Sequence, residues 1–266
     1  MKISLQLGLI PGGSVADKQR WAADHGVDGI EISAWDYKPE QLDDAKRAFE
    51  GSPVPISSVC GNPTFDFLDP DPGKRRVSMD QCKAYLRFCG AVGAAGQIVP
   101  PIFGGPRVPD LSPLMDPLTI EKKLFVELAK ELGEVAAEAG TFLLLEPLNR
   151  YEQHFLRRQE DGMEICKKVG NPNVTLLADF FHMHIEETST PKAIRKCGKY
   201  IKHCHLADNT RMEPGSGDIN FAAAFRALKA VGFTGYMAYE CGISGPDREA
   251  SLIRSLEHVR ACIAKA

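Results

Sequence analysis

The sequence predicts a (β/α)8 barrel. Eight short apolar runs punctuate the 266 residues, and stretches with helical spacing and their own start and stop signals fill the gaps between them. The length agrees, since α/β barrels commonly use about 250 residues as one domain. Residues 1–266 are therefore expected to form a single barrel domain.

The elements follow in order. "ISLQLGLI" (3–10) reads as the first strand. "SVADKQRWAADHG" (14–26) pairs Ser14 with Asp17 three residues on, a capping-box start, and stops at Gly26. "GIEIS" (29–33) is a strand, "PEQLDDAKRAFEG" (39–51) a helix of the same grammar, and "PISSVC" (55–60) a third strand. After a Pro/Gly-rich stretch (61–76) comes strand "GQIVPPI" (96–102), then a second such stretch (100–117) and helical spacing over 118–140. "TFLLLEPL" (141–148), "VTLLADFFH" (174–182), "IKHCHLA" (201–207) and "GYMAYEC" (235–241) complete the strands, with the helix pattern "NFAAAFRALKAVG" (220–232) before the last. Several runs are apolar at consecutive positions, as parallel strands covered on both faces require. Repeated strand–helix units imply right-handed crossovers, and eight of them close naturally into a barrel. A doubly wound open sheet competes, but no GxGxxG follows the first strand. The two Pro/Gly-rich stretches then read as loops on the rim of the barrel mouth.

Composition narrows the function. A hydrophobic content of 44% and a charged content of 25% are ordinary for a globular chain. A net charge of −3 gives no pull toward nucleic acid or an anionic membrane. The eight cysteines form no CxxC pair and are expected to be small buried hydrophobes in a reducing compartment. No stretch approaches the roughly 18 apolar residues of a spanning helix. The start, "MKISLQLGLIPGG", reads as a strand rather than a signal peptide, so the cytoplasm is the default expectation.

The chemistry lies at the strand ends. Strand five ends at Glu146, strand six carries Asp179, strand seven His205 and strand eight Glu240. Each alone is an ordinary mouth residue, salt-bridge partner or core histidine. Barrel closure would bring all four into one small space. Three carboxylates so close repel one another, and a divalent ion removes the conflict. Oxygen-rich ligation with one nitrogen suits Mn2+, Mg2+ or Co2+. Cys204 and Cys241 adjoin these positions but alternate to the opposite face. Glu152, His182 and Arg211 fall on mouth loops, where they could bind sugar hydroxyls; a surface salt bridge is the plain alternative for Arg211. His184 is expected on a mouth loop, and Asp208 to orient a neighbour.

"EPLNRYE", "LLADFFHMHIEE" and "HCHLADNTRMEPGSGDI" resemble the xylose isomerase-like TIM barrels, most of all the D-tagatose 3-epimerase and D-psicose 3-epimerase branch. The resemblance is strong from about Thr141 to Gly242 and rests only on strand rhythm and "GVDGIEIS" before that. It implies that Glu146, Asp179, His205 and Glu240 bind the metal and that Glu146 and Glu240 double as the acid–base pair. It implies substrate contacts from Glu152, His182 and Arg211, free ketoses as substrates, Mn2+ or Co2+ as the ion, and homodimers or homotetramers. Two departures bear on substrate: His184 stands where Asn is expected, and "PPIFGGPRVPD" lacks the tryptophan expected beside the sugar.

Epimerising a ketose at C3 removes a proton next to the C2 carbonyl and passes through an enediolate. Two glutamates on opposite faces would take the proton and return it. An aldose–ketose isomerase, including one resembling hydroxypyruvate isomerase, can use the same site. So can a dehydratase of a cyclic polyol or keto acid on a related barrel. An abasic-site endonuclease would need further histidines, and only His25 precedes residue 150. A non-catalytic subunit has no use for four intact ligands.

Overall fold

The computed structural model describes residues 1–61 and 65–266. β1 (Lys2–Gln6) passes into a 3-10 turn at Leu7–Leu9, so only the first half of the apolar run 3–10 is strand. α1 (Val15–Asp24) starts on the predicted capping box: the Asp17 amide donates to the Ser14 hydroxyl, and the Ser14 amide to the Asp17 carboxylate. β2 (Gly29–Ser33) matches its predicted run. A 3-10 turn at Pro39–Gln41 leads into α2 (Leu42–Phe49), and β3 (Ile56–Cys60) follows.

α3 (Pro72–Val92) is capped by Asp71, whose carboxylate accepts from the Gly73 amide. Residues 72–76 of the expected rim loop are thus helix. Asp-Pro is itself a start signal, a capping carboxylate followed by a first-turn proline. Residues 62–64 of that loop lie outside the described residues.

β4 (Gly96–Val99) is followed by the second rim loop and α4 (Pro117–Ala139), capped by Asp116. Gly140 ends α4 at φ 69°, a left-handed position open to glycine without strain. β5 (Phe142–Leu145) and α5 (Gln159–Val169) come next. β6 (Val174–Asp179) is shorter than predicted, because Asp179 ends the strand and caps α6 (Phe180–Glu186). α7 (Thr190–Cys197), β7 (Ile201–Leu206), α8 (Phe221–Ala230), β8 (Tyr236–Tyr239) and α9 (Arg248–Ala264) complete the chain.

The eight strands form a closed, all-parallel barrel in chain order, and β1 pairs with β8 to shut it, with Leu5 opposite Tyr239. Alternation along each strand makes two interiors. Outward residues such as Leu5, Ile32, Val59, Leu145, Leu176, Cys204 and Tyr239 join the core under the helices. The inward face divides by chemistry. Ile98, Leu144 and Leu177 pack together on β4 to β6. Ser4, Glu31, Ser58 and His203, on β1 to β3 and β7, are completely buried and polar. All eight cysteines are free thiols. Among the described residues, no helix is long and apolar enough to cross a membrane.

Candidate active site

The site is built at the strand ends. Glu146 lies one residue past β5, and its amide still donates to Val99 O at 3.1 Å, so the sheet sets its direction. Asp179 spends one oxygen on the start of α6: Oδ1 accepts from the Phe181 and His182 amides at 2.7 and 3.1 Å. Its Oδ2 stays turned toward the barrel axis, 3.8 Å from His205 Nδ1. His205 stands in register with Asp179 on β6 and with Ala238 on β8. Glu240 follows β8, its amide donating to Leu206 O at 3.2 Å.

These four residues converge. His205 Nδ1 lies 3.3 Å from Glu146 Oε1 and 3.3 Å from Glu240 Oε2. One candidate ligand atom from each of the four falls within 4.8 Å of the others. The sequence-predicted cluster therefore assembles as a unit.

The electrostatics are those of crowded, dry charges. Burial raises the Glu146 carboxyl above its usual range, and the Glu240 and Asp179 charges add to that. Burial would raise Glu240 too, but the His205 ring and the Arg211 guanidinium bring it down to about 2. Burial alone would lower His205, yet Glu31 and Glu240 hold it well above the ordinary histidine value. Three buried polar atoms of this region, Glu146 Oε1, His205 Nδ1 and His182 Nε2, have no hydrogen-bond partner. Buried polar atoms seldom stay unpaired. Three carboxylates and one imidazole gathered within 4.8 Å, with Glu146 Oε1 and His205 Nδ1 bare, fit a hard or borderline divalent ion.

The mouth residues form a second layer. The Arg211 guanidinium donates to Glu152 Oε1 at 2.8 Å and to Glu240 Oε2 at 3.2 Å, and lies 4.9 Å over the Phe181 ring. Glu152 also accepts from Asn149 Nδ2 at 3.0 Å. His182 Nδ1 accepts from the Asn149 amide at 3.2 Å and faces its side chain at 2.8 Å. All three expected substrate contacts thus border the cluster. His182 reaches it because β6 has ended and α6 begun. His184 is on α6 rather than on a loop, and its Nε2 lies 3.6 Å from Asp218 Oδ1.

Two supports hold these loops. Asp208 is completely buried and accepts from the Asn209, Gly215 and Ile219 amides, which folds the loop carrying Arg211. Gly217 is required there: a Cβ would lie 1.9 Å from Asn209 Oδ1 and 2.5 Å from Asp208 Oδ1. On the opposite side, buried Glu121 accepts from the Arg107 amide at 2.6 Å and meets His154 Nε2 at 2.5 Å. Gly104 in turn receives and donates backbone bonds with His154 and Glu152. The loop after β4 is thereby tied to the loop that carries Glu152.

Sequence reasoning missed Asn149, Glu31 and His203. Asn149 was inside a quoted motif but has no ionisable group. His203 is two residues before His205 and so shares its face. Glu31 is a carboxylate within an apolar strand, the same anomaly that singles out Glu146.

Comparison with known proteins agrees with the fold. A family profile described as xylose isomerase-like TIM barrel matches residues 19–262. The 3-dehydro-D-guloside 4-epimerase of Escherichia coli (strain K12) is 30% identical, covering 98% of this chain and 100% of the relative. The D-psicose 3-epimerase of Ruminiclostridium cellulolyticum is 29% identical, covering 84% of this chain and 80% of that protein. A crystal structure of the E. coli 3-keto-D-glucoside 4-epimerase, in its apo form, superposes with a TM-score of 0.87 at 30% identity, covering 98% of this chain and 100% of that one.

Proposed function

The chain belongs to the xylose isomerase-like TIM barrel family, and we infer that it is a metal-dependent epimerase of keto sugars that inverts a carbon next to the carbonyl. Its curated relatives are carbohydrate epimerases, which places it among isomerase-class enzymes. One observation carries the reading: Glu146 and Glu240 approach a common centre from strands β5 and β8, each 3.3 Å from His205 Nδ1. Two-base inversion needs two such carboxylates with the substrate between them.

Glu146, Asp179, His205 and Glu240 would hold the ion, with Mn2+ the first choice and Co2+ or Mg2+ close behind. When bound, the ion supplies Lewis-acid polarisation of the keto oxygen. One glutamate takes the proton of the neighbouring carbon; the C–H pair becomes part of an enediolate as the carbonyl pair moves to oxygen. The other glutamate delivers a proton to the opposite face of the same carbon, which inverts it. Substrate configuration sets which of the two acts first. Arg211, Glu152 and His182 would hold sugar hydroxyls and keep the ring in register.

Two registers use this chemistry. A free ketose would be inverted at C3, as the resemblance to D-psicose 3-epimerases suggests. A glycoside with a keto group at C3 would be inverted at C4. The match along the whole of a 4-epimerase favours the second, as does the lack of the expected tryptophan after β4. Assembly as a homodimer or homotetramer and a cytoplasmic setting belong to the same reading; sedimentation of the purified protein tests the assembly.

The deciding experiment is incubation in D2O with D-fructose, D-psicose and methyl 3-keto-D-glucoside, read by NMR. Deuterium at C4 of the keto-glycoside with inversion supports the favoured register, and deuterium at C3 of a ketose supports the other. Label at C1 would reassign the chain as an aldose–ketose isomerase, and loss of water as a dehydratase. No turnover of any of these by the Mn2+-supplied protein would overturn the epimerase reading for both registers.

A further inference from the structure

Beneath the four-residue cluster, in the polar half of the barrel interior, the Glu31 carboxylate is surrounded by four donors. Gln6 Nε2 lies 3.1 Å and His205 Nε2 3.0 Å from Oε1. Ser58 Oγ lies 2.7 Å and His203 Nε2 2.9 Å from Oε2. An ionised carboxylate offers about four acceptor positions and no donor, so every position is taken and every partner must donate. Gln6 Nε2 and Ser58 Oγ donate to opposite oxygens of this carboxylate, so both oxygens act as acceptors and each ring presents an Nε2–H to it. For His205 this leaves Nδ1 as the atom facing Glu146, Asp179 and Glu240, where it has no hydrogen-bond partner.

We propose that Glu31 is a positioning residue for metal binding: by accepting the Nε2–H of His205 it fixes the tautomer and the tilt of the ring, so that Nδ1 presents its electron pair to the ion. Histidine ligands commonly donate their second ring N–H to a carboxylate, which orients the ring and raises its basicity. Here that carboxylate comes from β2, 174 residues away in sequence. His203 and Ser58 share it from the same buried layer and keep it from turning away. Completely buried, Glu31 has no route to substrate, so its effect passes through His205. The inference rests on reading the cluster as a metal site.

The test separates the two. Wild type and Glu31→Gln are titrated with Mn2+ against a chelator of known affinity. An amide offers one acceptor oxygen and a donor where two ring N–H groups point, so the variant is expected to bind Mn2+ about 10–100-fold more weakly. Wild type that binds no Mn2+ overturns the metal-site reading and this proposal with it. A variant that binds as tightly as wild type overturns the role of Glu31 alone. Ring-nitrogen NMR of Zn2+-loaded wild type gives a readout that general destabilisation does not move. The proton is expected on His205 Nε2 and the ion on Nδ1; the ion on Nε2 overturns the proposal. This second measurement decides the matter should Glu31→Gln not fold.

Discussion

Arg211 and Glu240 are hydrogen-bonded, Nη2 to Oε2 at 3.2 Å, so the cation of the mouth leans on a carboxylate assigned to proton transfer. The same guanidinium holds Glu152 at 2.8 Å. Arg211 adopts φ 58°, the one left-handed non-glycine among the described residues, and its loop is fastened by Asp208. Such strain persists where the surroundings over-determine it. Arg211→Lys keeps the charge but loses the planar fork. Steady-state kinetics on the substrate identified by NMR should show kcat/KM reduced about 10–100-fold, the worth of one charged hydrogen bond. Wild-type kinetics from Arg211→Lys would remove Arg211 from the site.

The acid–base assignment makes a sharper demand. Glu146→Gln and Glu240→Gln each remove a group that must change protonation during the reaction. Each should lower kcat by about 10²–10⁴-fold at saturating Mn2+. Undiminished turnover in either variant would exclude the two-base scheme.

Removal of the ion should be visible in both activity and stability. Chelation with EDTA is expected to abolish turnover, and Mn2+ or Co2+ to restore it. An ion present at 100 times its dissociation constant stabilises the fold by about 2.7 kcal/mol. Scanning calorimetry should therefore show a lower melting temperature after chelation. An identical melting temperature with and without Mn2+ would count against a site formed by these four residues.

The loop after β5 is fastened by a pH-sensitive contact. Glu186 is buried, which alone would raise its carboxyl, but Arg150 holds it below the usual range, with Nε 2.8 Å from Oε1. A depressed carboxylate contributes stability above its unfolded pKa and loses it as pH falls through the folded value. Wild type should thus melt higher than Arg150→Ala at pH 7. The gap should narrow below about pH 4, where an unfolded glutamate titrates. A gap constant from pH 7 to pH 3 would show that the ion pair does not set it.

Eight strands and the four strand-end residues of the cluster were legible in the chain because their signals are local. Apolar runs mark the strands, and Ser14 with Asp17 or a terminal glycine marks the helix ends. A lone charge in an apolar run marks the mouth, as Glu146 does. Errors fell where two local signals overlap. The run 174–182 stays apolar past Asp179, yet that carboxylate caps a helix, and this turn is what brings His182 beside it. Barrel closure and strand register decided the rest. They turn the inward side chains of β2 and β7 to the same buried layer, so that one buried glutamate receives two histidines from far along the chain. They also bring Arg211 against both Glu152 and Glu240. No periodicity encodes such meetings, because each pairs residues whose separation along the chain carries no pattern. Position at the strand ends was enough to list Glu146, Asp179, His205 and Glu240, but only the closed barrel shows which nitrogen of His205 faces the three carboxylates.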